Sequence, residues 1–217
     1  MQHDVEYIPA LRYRWLTGFY DPIVAITTRE KKFKKQLVEM ADIKPNDAVL
    51  DIGCGTGTLA IGIKKTVSDA NVVGIDGDPE ILEIARHKAH KENVEIVFDQ
   101  GLSFDLPYQN GQFDRCLSSL FFHHLTLSDK LRTFREIHRV LKVSGECHVA
   151  DWGEPGNQFM RLLYYQIQIL DGFKTTKDNV QGQLPALMQS SGFSNIQIKQ
   201  ELATMFGTMT LYSAKKL

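Results

Sequence analysis

Short β-rich runs alternate with stretches of helical period along this chain, without an internal repeat or a linker rich in Ser, Gly or Pro. That alternation predicts a parallel sheet covered by helices on both faces. Residues 47–52 read as the first core strand, and a helix from Thr58 to Thr66 follows a glycine cluster. Asn71 to Asp76 is a second strand. Asp78-Pro79-Glu80 then opens a helix with a capping acid, Pro at the first position and an acid in the first turn. Val94 to Phe98 and Phe113 to Leu120 read as strands three and four. A helix starting at Ser128-Asp129 ends near Ser144-Gly145, where Gly can supply a left-handed stop. Glu146 to Asp151 is a fifth strand, 157–171 an amphipathic helix, and Leu184 to Ser191 a short one. The β-rich runs 194–202 and 204–213 have almost nothing between them. A parallel crossover needs a dozen residues or more, so these two can only form an antiparallel hairpin.

Composition narrows the function classes. A chain of 217 residues can bury a core as one domain, and two domains would each be cramped. With 25 Lys and Arg against 26 Asp and Glu, there is no long-range attraction to phosphate backbones or anionic lipid, and nucleic acid is not an expected partner. No apolar run approaches the length of a membrane span, and the first residues lack the pattern of a secretory signal. Cys54, Cys116 and Cys147 are odd in number and far apart in sequence, so neither a metal site nor a disulfide framework is indicated. A reducing cytoplasm is the expected compartment.

The chemistry concentrates in Asp51-Ile-Gly53-Cys54-Gly55-Thr-Gly57, directly after a strand and before a helix. Glycines there let the backbone turn sharply and approach a ligand, and the helix start offers unpaired N–H groups. Asp76 ends the next strand, 19 positions beyond Gly57, where a carboxylate can accept both hydroxyls of a ribose. A dinucleotide fingerprint of G-x-G-x-x-G would need Gly where Thr58 stands. An acid two residues ahead of the glycines would repel a pyrophosphate but suits a cationic amino group. The pattern therefore favours a nucleoside with a positive tail, S-adenosylmethionine, over NAD.

These motifs, with Val73-Gly-Ile-Asp76, Phe113-Asp114, Leu117-Ser-Ser-Leu-Phe-Phe-His123-His124-Leu125, Leu141-Lys-Val-Ser-Gly145 and Ser190-Ser-Gly192-Phe193, resemble class I S-adenosylmethionine-dependent methyltransferases over roughly 36–215. The subgroup most similar contains ubiquinone/menaquinone C-methyltransferases and small-molecule enzymes. The resemblance implies a Rossmann-like three-layer α/β sandwich, with seven strands in the order 3-2-1-4-5-7-6 and strand 7 antiparallel. It implies that Asp51 faces the methionine amino group, that Gly53, Cys54, Gly55 and Gly57 line methionine and ribose, and that Asp76 holds the ribose hydroxyls beside Gly77 and Asp78. Leu102 and Ser103 would border the adenine, with Ser118 and Ser119 under the sulfonium side. The family often has an acid after Gly101, where this chain has Leu102, so backbone atoms or Asp99 would serve the adenine amino group.

Residues 1–40 read as an N-terminal helical lid on a core of 41–217, or equally as a helix capping the sheet. Tyr20 is the first choice for cofactor contact there. Phe19, Trp152 and Tyr164 are candidates for the wall of an acceptor pocket, Trp152 reading nearly as well as core. His123 and His124 follow the fourth strand, where they either orient or deprotonate an acceptor or hydrogen-bond within their own loop. Methyl transfer asks the protein for alignment and exclusion of water, and a base helps when the acceptor carries a proton of high pKa. The expected function is methyl transfer from S-adenosylmethionine to a small organic acceptor, leaving S-adenosylhomocysteine. The rivals are a cofactor-binding module without catalysis and an NAD(P)-dependent Rossmann oxidoreductase. Arsenite is disfavoured as an acceptor because the cysteines form no evident thiolate cluster.

Overall fold

The computed structural model describes residues 30–217. Its elements run α1 (Glu30–Met40), β1 (Ala48–Ile52), α2 (Thr58–Thr66), β2 (Asn71–Asp76), α3 (Pro79–Lys91), β3 (Val97–Gln100) and β4 (Phe113–Ser119). A 3-10 turn (Phe122–His124), α4 (Leu127–Val140), β5 (Leu141–Trp152), α5 (Gln158–Asp171), α6 (Phe173–Val180) and α7 (Leu184–Ser190) follow. The hairpin β6 (Ser194–Thr204) and β7 (Gly207–Lys215) completes the chain. Together the strands form one seven-stranded sheet in the order β3-β2-β1-β4-β5-β7-β6. The first five pair in parallel, and β7 runs antiparallel between β5 and β6. This is the Rossmann-like sandwich that the sequence implies.

Local chemistry accounts for the elements that frame the site. Gly57, at φ 73°, starts α2 in the left-handed region that a side chain would resist. Asp78 caps α3, its side chain accepting from the N–H groups of Glu80 and Ile81, and Pro79 occupies the first turn. Thr126 caps α4 and Asn157 caps α5 in the same way. Each face of the sheet has its own apolar cluster. One joins α1, α2 and α3 to Trp152 and Tyr164, and the other joins α4 and α7 to β4 and β5.

Several boundaries differ from the expected ones, each for a visible reason. The third strand begins at Val97 rather than Val94, because the Val94 N–H is bound to Ala89 O at the end of α3. Helix α4 ends at Val140, and β5 starts at once at Leu141 instead of Glu146. The left-handed residue there is Ser144 (φ 66°), not Gly145. Gly145 is required by close approach instead, since a Cβ would lie 2.9 Å from Lys142 O and 3.1 Å from Asp114 O. Helix α6 was not expected from its polar sequence, and the hairpin strands run to Thr204 and Lys215, turning at Met205-Phe206.

Candidate active site

The carboxyl ends of β1, β2, β4 and β5 gather the titratable groups, as expected where strand order reverses beside β1. Asp51 is buried, with Oδ2 accepting from the Ala60 N–H at 3.1 Å and Oδ1 left without a partner. Burial pushes its carboxyl up to about 7, against the opposing pull of Lys34 on α1 and the Ala60 hydrogen bond, while Asp76 adds to the rise. A buried acceptor oxygen of that kind calls for a donor or a cation. Gly53, Gly55 and Gly57 all have positive φ, and the space beside Gly55 is open. At Gly53 the Phe121 ring stands 2.2 Å from where a Cβ would be, so no other residue fits beneath that ring.

Asp76 organises the next strand end. Its Oδ2 accepts from the Gly55 N–H at 2.9 Å and its Oδ1 from the Asp78 N–H at 3.1 Å. Lone-pair capacity remains on this carboxylate for a hydroxyl donor. Burial raises its pKa, opposed by those hydrogen bonds and one from Gly77. Cys54 is buried against Gly74. Asp51, the glycine loop, Asp76, Gly77 and Asp78 are thus brought together in one place.

The other expected residues divide. Leu102 pairs with Asp105 in a tight bridge, and the Ser103 hydroxyl turns inward to Thr133 at 2.9 Å. Asp99 accepts the Tyr108 hydroxyl at 2.9 Å. Buried Ser118 donates to Ile52 O at 2.8 Å, whereas Ser119 is half-buried at the strand end. Trp152 and Tyr164 stack edge-on at 5.7 Å inside an apolar cluster, a core placement for both. The hundred-degree turn between neighbours on a helix sends Tyr165 outward instead, near the exposed Phe173. Phe19 and Tyr20 lie outside the described residues, as does most of the expected lid; Phe33 and Leu37 of α1 are packed into the core.

His123 carries a partner that sequence reasoning had not joined to it. Its Nδ1 lies 2.7 Å from Asp151 Oδ1, both groups buried. Asp151 also receives the N–H groups of Phe121 and His123 on Oδ2 and that of Trp152 on Oδ1. Burial alone would raise this carboxyl, but the His123 ring and the Trp152 N–H hold it below the usual range. Burial, with His123 at a ring distance of 4.0 Å, keeps His124 well below the ordinary imidazole value. Cys116 and Cys147, distant in sequence, are register partners on β4 and β5; burial raises both thiols, Cys147 to about 12. Neither is disposed to act as a thiolate.

Comparison with known proteins agrees with this geometry. Residues 49–145 match the methyltransferase-domain family. The ubiquinone/menaquinone biosynthesis C-methyltransferase UbiE of Bdellovibrio bacteriovorus is 34% identical over 132 residues, covering 61% of this chain and 55% of that protein. The chain thus spans little more than half the length of this relative. A demethylmenaquinone methyltransferase of Thermus thermophilus is 28% identical over 199 residues, covering 83% of this chain and 88% of the relative. In fold, a SAM-dependent methyltransferase from Methanosarcina mazei superposes with a TM-score of 0.67 at 21% identity, over 83% of this chain and 97% of that one. Residues 49–145 thus carry a methyltransferase domain, and the chain as a whole is similar to S-adenosylmethionine-dependent methyltransferases in sequence and fold.

Proposed function

We propose that the protein transfers a methyl group from S-adenosylmethionine to a small organic acceptor. The observation that carries this reading is the buried Asp51, with one oxygen unpartnered beside a glycine loop and Asp76 one strand away. The residues present fit the cofactor. Asp51 would take the ammonium group of the methionine part, the loop around open Gly55 would pass along it, and Asp76 would take the ribose hydroxyls. Bound there, the cofactor supplies the electrophilic methyl carbon. The chain's own work is to hold that tail by charge, to exclude water, and to aim the acceptor from the β4 and β5 side, where His123 and Ser119 lie. The relatives' names, which include quinone and phytyl hydroquinone methyltransferases, support a ring-bearing acceptor. In this reading the protein works in the cytoplasm.

Calorimetric titration with S-adenosylhomocysteine tests it. Binding in the micromolar range is expected, weakened in Asp51→Asn and Asp76→Ala. No binding at high micromolar concentration, or tighter binding of NAD, would overturn the reading.

A further inference from the structure

Between α5 and α6 lies a cavity of about 280 Å3 that shares no described lining residue with the Asp51–Asp76 crevice. That volume is at the lower edge of pockets that hold small molecules. Arg161 and Gln168 line it from α5, Phe173, Lys177 and Val180 from α6, and Gln181 from the turn beyond. Helix α6 is a fixed wall, because its opposite face is tied down. Buried Lys130 of α4 donates to Thr175 O at 2.6 Å and to Asn179 Oδ1 at 2.7 Å, and Asn179 donates to Trp152 O at 3.0 Å.

The polar part of the cavity wall is rich in donors. Buried Gln168 accepts an Arg161 N–H on Oε1 at 2.6 Å, and its amide nitrogen donates to Thr176 at 3.2 Å. The Tyr165 ring lies against the guanidinium, 4.4 Å from Cζ to the ring centre. Arg161 is thereby held at its edge and on its face, while Gln168 occupies one of the five N–H donors. The amide oxygen of Gln181 accepts from Gln183 at 3.0 Å, which leaves the Gln181 N–H groups to donate. No acid is among the described lining residues, and neither Arg161 nor Lys177 pairs with an acid among the described residues. Phe173 and Val180 supply the apolar part.

Holding a guanidinium in place costs conformational freedom, and an ordered fork beside an aromatic ring matches one ligand chemistry: an oxyanion carried on an apolar body. We propose that the cavity between α5 and α6 binds a small organic carboxylate, with its oxygens on Arg161 and Lys177 and its apolar body against Phe173 and Val180. This site goes beyond the methyl-transfer reading and does not rest on it, since neither the cofactor nor the reaction enters the recognition.

Calorimetric titration with benzoate at fixed ionic strength tests it, with benzamide as the uncharged isostere and inorganic phosphate as the bare anion. Saturable binding of benzoate at one site in the millimolar range or tighter is expected, with benzamide and phosphate both weaker. Arg161→Met and Lys177→Met, checked by melting temperature, should each weaken benzoate by about tenfold or more, the loss of a charge-assisted hydrogen bond. Lys174→Met removes an exposed neighbouring charge outside the cavity wall and should leave the affinity unchanged. No saturable binding of benzoate overturns the proposal, as does unchanged affinity in either folded variant or an equal loss in Lys174→Met. Phosphate binding as tightly as benzoate overturns it too, because the apolar wall would then contribute nothing. Protein saturated with S-adenosylhomocysteine should still bind benzoate; competition between the two would move benzoate to the Asp51–Asp76 crevice and reject the separate site. Failure of S-adenosylhomocysteine to bind, with benzoate binding intact, would instead reject methyl transfer and leave the carboxylate site standing.

Discussion

Asp51 turns burial into a pH-dependent grip. With its carboxyl at about 7, a cationic ligand that needs the ionised form should bind about tenfold more weakly for each pH unit below that value. Binding near pH 6 should release a proton, measurable as a dependence of the calorimetric heat on buffer ionisation enthalpy; Asp51→Asn should abolish it. The same shift has a stability sign. A carboxyl whose pKa is raised by folding holds its proton better in the native state, so its contribution is present at low pH and is lost as pH rises from 3.8 toward 7. Asp51→Asn should therefore gain on the wild type in urea midpoint as pH increases through that window. At Asp76, replacement by Ala removes charge-assisted bonds to the ribose worth roughly 1.5–3 kcal/mol each. It also strands the Gly55 and Asp78 N–H groups, so affinity and melting temperature should fall together.

Elements, rather than single residues, explain why the glycine loop and the α4–β5 junction read so differently in sequence. The loop's signals are local: a strand, positive-φ glycines, then a capped helix, and α2 and α3 start where those signals place them. At the junction the helix passes straight into β5, and Ser144 takes the left-handed turn that Gly145 seemed to mark. What Gly145 needs is room from Lys142 O and Asp114 O, and the Asp114 contact comes from another strand. Gly145→Ala should accordingly cost about 1–3 kcal/mol by overpacking against backbone, read as a lower denaturation midpoint with an unchanged slope. Helix α6 escaped notice because its buried face is polar, Thr175, Thr176, Asp178 and Asn179, which makes no apolar stripe to detect.

Across the whole molecule, the sheet holds more than the site. His148 on β5 is buried with neither ring nitrogen hydrogen-bonded, although its Nε2 lies 3.2 Å from Glu146. The ring is poorly aligned for a hydrogen bond to that carboxylate. Burial lowers its pKa despite Glu146, so the unfolded chain takes up the proton first. The stability it contributes is complete above about 6.5 and is lost as pH falls toward the lower native value. His124, held down in the same way, adds to the trend. Unfolding free energy should drop by up to about 1.4 kcal/mol per pH unit for each such ring below pH 6.5. In His148→Leu that slope should be shallower, as followed by urea denaturation at a series of pH values.

The sequence by itself determined the alternation of strands and helices, the closing hairpin and the Asp51–Asp76 pair, because each is written in neighbouring residues: a period, a cap, a glycine spacing, a join too short for a crossover; the strand order came only with the family resemblance. Tertiary structure alone decided which polar groups meet. His123 finds Asp151 28 residues away, and Lys130 finds Asn179 49 residues away. Burial then sets Asp51 near neutrality and turns Trp152, Tyr164 and the Ser118 hydroxyl into interior groups. Proximity and desolvation belong to the folded chain as a whole, so no local stretch of sequence carries them.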